Sequence, residues 1–245
     1  MSLSPRTRML LMAIIALKVV ALGSYGYAEG WFGGLFGSKP KVEATAPLPQ
    51  AKNLGEKPTR EQALQIQPND RVLGRFGAPI TIIEYASLTC SHCADFKINT
   101  MPSVKRDWIE TGKAIYILRD LPWDPLALGM SAVTRCVPPE QFYPLSDAFF
   151  AAQKTIITSS NPLATINAVA AQAGFNEAAV QACIRDEPRQ QEILRGKEIA
   201  QHVLGVKGTP AIFVNGQQVE GAVKYDVLKK TLDAEYAKLT AKPTQ

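Results

Sequence analysis

The sequence predicts an α/β fold with an inserted all-helical domain, and three observations predict it. First, residues 80–86 form a β-branched, nearly continuous apolar run, followed by a helical stretch and a second apolar run at 114–118. Strand, helix, strand in that order is a βαβ unit with a parallel pair. Second, residues 125–205 carry helical patterning with little strand character. Third, strand character returns at 211–214, followed by the turn dipeptide Asn215-Gly216 and a return strand at 217–220.

Each element has a local cause. Thr59 with Gln62 makes a capping box ahead of a short helix. Residues 71–74 read as a short strand, and Gly77-Ala78-Pro79 as the turn that leads into 80–86. The run at 80–86 lacks polar alternation, which suits a strand covered on both faces. Helix is predicted at 90–98 and 102–111, with Pro102 breaking or kinking the pair and Gly112 ending the second. Within the helical block the predicted segments are 125–137, 140–152, 163–173, 176–186 and 188–204. Residues 224–238 form a closing amphipathic helix. The organisation that follows is a leader at 1–28, a linker with a short helix at 29–69, an α/β domain from 70–120 and 206–245, and a helical domain at 121–205.

Composition narrows the class. With 245 residues, 46% hydrophobic and 20% charged, the chain is neither disordered nor collagen-like. It has no run of 18 or more uncharged apolar residues, which excludes a polytopic membrane protein. The net charge is +5, but Arg6, Arg8 and Lys18 fall within residues 1–28, which hold no acid. The remaining Lys and Arg are scattered among acids, so no nucleic-acid surface is expected. Arg6 and Arg8 precede an apolar run at 9–17, and small residues offer cleavage after Gly23 or Ala28. That pattern reads as an export signal. The alternative is an uncleaved inner-membrane anchor over 9–28 with Trp31 and Phe32 at the interface. Residues 29–58, rich in Gly, Pro, Lys and Ala, would then be a tether about 30 Å long as a flexible coil.

Export decides how the four cysteines are read, because an even count in an oxidising compartment favours disulfides. Cys90-Ser91-His92-Cys93 directly follows the buried strand and opens a helix. Free backbone N–H groups and the helix dipole there favour a negative charge on Cys90. Cys90 would be the exposed nucleophile and Cys93 the more buried resolving thiol, with His92 adding positive character. A thiolate is the product of reduction, so stabilising it makes the disulfide a stronger oxidant. A fall in the Cys90 pKa from ~8.5 to ~4.5 would be worth about 3.4 kcal/mol at pH 7, or roughly 70 mV. A lone C-x-x-C is also consistent with half a zinc site completed by His92 or His202, but Cys136 and Cys183 are isolated, so no metal is expected. Glu84 puts a carboxyl in an apolar strand, at a cost unless it is partnered or protonated. Two readings stand for it: a proton acceptor near Cys93, or an inward charge paired with Lys113 or Arg119. Trp108 and Trp123 are expected in the core, although Trp123-Asp124-Pro125 could instead rim an active-site groove.

Gly208-Thr209-Pro210 before the strand at 211–214 is the second specific element, since a proline at a strand entrance is unusual. Three stretches carry a resemblance: residues 84–96 (EYASLTCSHCADF), 112–122 (GKAIYILRDLP) and 206–216 (VKGTPAIFVNG). Together with the helical insertion, they resemble the exported DsbA-like branch of the thioredoxin superfamily, over roughly residues 70–240. The resemblance implies a thioredoxin fold with an inserted all-helical domain, and thiol–disulfide exchange without a cofactor. It implies a disulfide-donating Cys90 with Cys93 as its partner, Glu84 as proton acceptor, and Pro210 as a cis-proline, with Thr209 offering backbone hydrogen bonds to a substrate strand. A structural disulfide between Cys136 and Cys183 is implied as well. So are cysteine-containing exported substrates, a quinone-linked DsbB-type membrane partner and a periplasmic location. Ser91 stands where such sites often carry proline, which leaves redox strength open. The same fold also serves reductases and isomerases, and a noncatalytic envelope binding or chaperone module is the alternative of a different class.

Overall fold

The strand β2 (Ile80–Ala86) is the centre of a five-stranded sheet ordered β1-β3-β2-β4-β5. Its neighbours are β3 (Ala114–Asp120), parallel from Ile80↔Ala114 to Ala86↔Asp120, and β4 (Ala211–Val214), antiparallel from Ile82↔Val214 to Tyr85↔Ala211. β1 (Val72–Leu73) and β5 (Gln217–Gln218) close the edges, both antiparallel. The β-branched run forms the central strand because its pleated surface is buried on both faces, only Thr81 being partly open. This description comes from a computed structural model covering residues 48–52, 56–220 and 224–241. The predicted export signal or anchor, and most of the predicted linker, lie outside the described residues. Among the described residues, no helix is long and apolar enough to cross a membrane.

Strand alternation sorts the side chains into two layers. On one face Ile80, Ile82, Ala86, Tyr116 and Leu118 meet the helix that follows Cys90, the insertion and the C-terminal helix. On the other, Ile83, Tyr85, Ile117, Leu121 and Phe213 meet Ala63, Ala200 and Leu204. Glu84 shares the parity of Ile82 and Ala86, so it faces the layer that holds the two neighbouring cysteines. Arg119 has the opposite parity. It donates to Asp70 twice, to the Tyr85 hydroxyl and to the carbonyls of Ala63 and Gln65. That network pins α1 (Arg60–Leu64) and the turn after it to the sheet, and Thr59 caps α1 through the expected box.

The helix α2 does not break at Pro102. It begins as Ser91–Asp95 and continues without a break through π-helical Phe96–Thr100, α-helical Met101–Val104 and π-helical Lys105–Ile109. The widened turn before Pro102, closed by Met101 N–H to the Phe96 carbonyl, makes room for a ring that would clash in regular helix. Gly112 then turns the chain at φ +73°, a conformation that favours glycine.

The insertion comprises α3 (Pro125–Cys136), α4 (Phe142–Thr158), α5 (Pro162–Ala171), α6 (Glu177–Ile184) and α7 (Glu187–His202), and α8 (Tyr225–Thr240) closes the chain. Asp124, Asn161, Asn176 and Asp186 cap four of these helices with a side-chain oxygen on a backbone N–H. A disulfide joins Cys136 at the end of α3 to Cys183 in α6, at a sequence separation of 47 and a Cα–Cα distance of 6.0 Å. Replacing both by Ser is expected to lower stability by up to about 4 kcal/mol, because the open chain regains the entropy of a loop of that length. Urea unfolding of the double variant checks this; an unchanged midpoint and slope would contradict it.

Candidate active site

The fold puts Cys90 at the N-cap of α2, where the central strand β2 has just ended. The loop between them is tight: Cys90 N–H donates to the Ser87 carbonyl at 3.0 Å. From the insertion, the Gln153 side chain donates to the carbonyls of Leu88 and Cys90 at 2.9 and 3.0 Å. The orphan amides of the first helical turn, those of His92 and Cys93, are the backbone groups that favour a negative Cys90 sulfur. Across the groove, the Thr209–Pro210 peptide is cis, and the Thr209 carbonyl lies 3.2 Å from Cys90 Sγ.

Cys90 and Cys93 are both free thiols and electrostatically unlike. The Cys93 thiol, the Thr209 side chain and the backbone amides of Cys93 and His92 favour the Cys90 thiolate, and together they outweigh partial burial. Its pKa falls to about 5. Burial drives the Cys93 pKa far upward, and its hydrogen bond to Cys90 and the nearby Glu84 charge add to this. One sulfur is thus held as an anion and the other as a thiol. His92 reaches this balance through its backbone N–H, while its ring is exposed.

Glu84 is fully buried, and burial lifts its carboxyl to about 7. Neither pairing considered from sequence occurs. Arg119 lies on the other face of the sheet, and Lys113 covers the Trp108 and Tyr236 rings instead. Glu84 Oε2 accepts from the Tyr116 hydroxyl, and Oε1 has no hydrogen-bond partner. The Lys97 ammonium donates to Tyr116 at 3.4 Å and pairs with Asp147 at 3.1 Å.

Trp123 departs from the expected core position. The residue is 39% exposed at the groove edge, where Nε1 donates to Thr209 Oγ1 at 3.0 Å and Lys197 stands over the ring at 5.4 Å. An indole N–H needs a partner, and Thr209 supplies one. Trp108 is buried. The donors of the zinc alternative do not converge, since His202 pairs with Glu198 on α7 and Cys136 is bonded to Cys183. Lys97, Tyr116 and Gln153 join the site without belonging to any motif in the sequence. Lys97 was detectable: at four residues beyond Cys93 it shares the buried face of α2, where a lysine is rare.

A family model described as Thioredoxin matches residues 67–234. The chain is similar to α-DsbA1 of Wolbachia pipientis, with a TM-score of 0.70 and 30% identity over 74% of this chain and 98% of that one. It is 26% identical to a Rickettsia bellii protein provisionally named a protein-disulfide oxidoreductase, over 74% of this chain and 70% of that protein. Disulfide bond formation protein D of Bacillus subtilis is 20% identical over 67% of this chain and 76% of its own length. The chain therefore belongs to the thioredoxin family. Within that family it is a thiol–disulfide oxidoreductase of DsbA type, with the helical insertion characteristic of that fold.

Two measurements check the electrostatics. The thiolate absorbance of the reduced protein should titrate with a midpoint near pH 5, and a midpoint above 8 would contradict the helix-mouth argument. Raising the folded-state pKa of Glu84 means the folded chain holds a proton that the unfolded chain has released between about pH 4.5 and 7. Glu84 therefore costs stability as pH rises through that window. Glu84→Gln should match wild type below it and gain up to about 3 kcal/mol above it in urea unfolding.

Proposed function

We propose that this protein is an exported disulfide donor working through Cys90 and Cys93. The observation that carries the reading is the opposite treatment of the two sulfurs, with the Cys90 thiolate stabilised and Cys93 kept protonated. Stabilising the reduced product makes the Cys90–Cys93 disulfide oxidising.

In the proposed cycle, a substrate thiolate attacks Cys90 Sγ of the oxidised pair. The S–S bond breaks, and Cys93 sulfur leaves with the electron pair and takes a proton from Glu84. A second substrate thiolate then attacks the substrate sulfur of the mixed disulfide, and Cys90 leaves as its stabilised thiolate. The substrate is oxidised by two electrons and the enzyme reduced by two. Pro210 and the backbone of Thr209 line the substrate strand, with Trp123 at the rim. No cofactor or metal takes part.

Substrates are cysteine-containing exported proteins, and a quinone-linked membrane protein of DsbB type takes the two electrons back. Arg6, Arg8 and the apolar run at 9–17 support export to the periplasm, with residues 1–28 a signal peptide that is removed or residues 9–28 kept as an inner-membrane anchor. The disulfide between Cys136 and Cys183 fits an oxidising compartment.

Equilibration with glutathione tests the direction. The expected potential lies well above about −270 mV, the thioredoxin value, and toward about −120 mV. A potential at the thioredoxin end would make this a reductase. By linkage, the oxidised form should also unfold at a lower temperature than the reduced form, and Cys90→Ser should abolish oxidation of a reduced substrate protein.

A further inference from the structure

Glu84 is sealed from solvent, yet a proton shared with Cys93 must reach water. The structure offers a route. Tyr116 donates to Glu84 Oε2, Lys97 Nζ donates to the Tyr116 hydroxyl at 3.4 Å, and Lys97 pairs with Asp147 at 3.1 Å. The Lys97 side chain is only 3% exposed, whereas that of Asp147 is 58% exposed, so the chain of groups ends in solvent. Asp147 belongs to α4 of the insertion, while Lys97, Tyr116 and Glu84 belong to the thioredoxin half. The Lys97 ammonium also lies 4.9 Å over the Tyr116 ring and 5.7 Å over that of Tyr143, which fixes it in a cage of aromatic faces.

We propose that Lys97 and Asp147 are positioning residues for the thiol chemistry, linking the buried Glu84 carboxyl to solvent through Tyr116 and acting on its charge with opposite signs. The inference rests on the reading of Glu84 as the acid–base group of Cys93, and it assigns the helical insertion a part in that chemistry. When the Cys90–Cys93 bond breaks, Cys93 Sγ takes the electron pair and the Glu84 proton. The carboxylate takes the Tyr116 proton, the Tyr116 oxygen takes one from Lys97 Nζ, and Lys97 regains its proton from water beside Asp147. Reoxidation runs the same transfers backward. No oxidant beyond the disulfide itself is needed.

The groups facing Glu84 are Cys90, Cys93 and Lys97 from α2, Tyr116 from β3, and Tyr143 and Asp147 from α4. Of the outer pair, Lys97 favours the carboxylate and Asp147 disfavours it. Their removal should therefore act in opposite directions, which loss of packing would not produce.

The test is the rate at which dithiothreitol reduces the oxidised full chain from pH 5 to 9, followed by tryptophan fluorescence. Glu84→Gln identifies the Glu84 inflection by removing it. Asp147→Asn, a surface change that leaves the core untouched, should move that inflection to lower pH. Lys97→Met should move it to higher pH. Each shift, of about half a pKa unit, should change the rate relative to wild type at pH 7 by about 1.5- to twofold, because the inflection itself lies near that pH. Shifts of the same sign, or an Asp147→Asn profile that superimposes on wild type, overturn the inference while leaving Glu84 in its role. An inflection that survives in Glu84→Gln overturns the underlying reading as well.

Discussion

The arrangement depends on the Cys90 sulfur sitting where the central strand gives way to a helix. That junction concentrates unpaired amide donors on one atom, and neither strand nor helix alone supplies it. Everything around it keeps the junction in place. β3 and β4 hold β2 from both sides, Gln153 ties down the loop, and the Thr209–Pro210 segment closes the groove 3.2 Å from the sulfur. Three parts of the chain that are distant in sequence thus act on a single thiolate.

The second sulfur shows how burial complements polarity. Cys93 lies one turn further along α2, inside the apolar layer, where an anion is expensive. Asymmetry between two identical side chains thus comes from about one helical turn of displacement. Glu84 meets the same low-polarity surroundings and responds in the same direction, holding its proton to a higher pH than an exposed carboxyl. Burial thus pushes the buried acid and the buried thiol beside it in the same direction, toward their protonated forms.

The insertion is more than a cover for this face. Its α4 supplies Gln153 to the loop before Cys90 and Asp147 to the ammonium of Lys97. The disulfide between α3 and α6 and the four side-chain caps stiffen the block that presents those groups. Arg119 does similar work on the opposite face, where a buried guanidinium satisfied by two carboxylate and three other oxygens fixes the N-terminal segment to the sheet.

Read alone, the sequence determined the central strand, the helix opening at the cysteine pair, the helical block, the capping box at Thr59 and the loop ending in Pro210. These are local: β-branched runs, caps and turn residues act on neighbours within a few positions, so they are legible without the fold. The continuity of α2 through Pro102 was not legible, because a widened turn depends on packing rather than on residue type. Nor could residue order reveal that Arg119 faces away from Glu84, that Trp123 lies at the groove edge on Thr209, or that Tyr116, Lys97 and Asp147 line up behind Glu84. Those pairings join residues 30 or more positions apart in several cases, and only strand register and the seating of α4 on α2 bring them within hydrogen-bond reach.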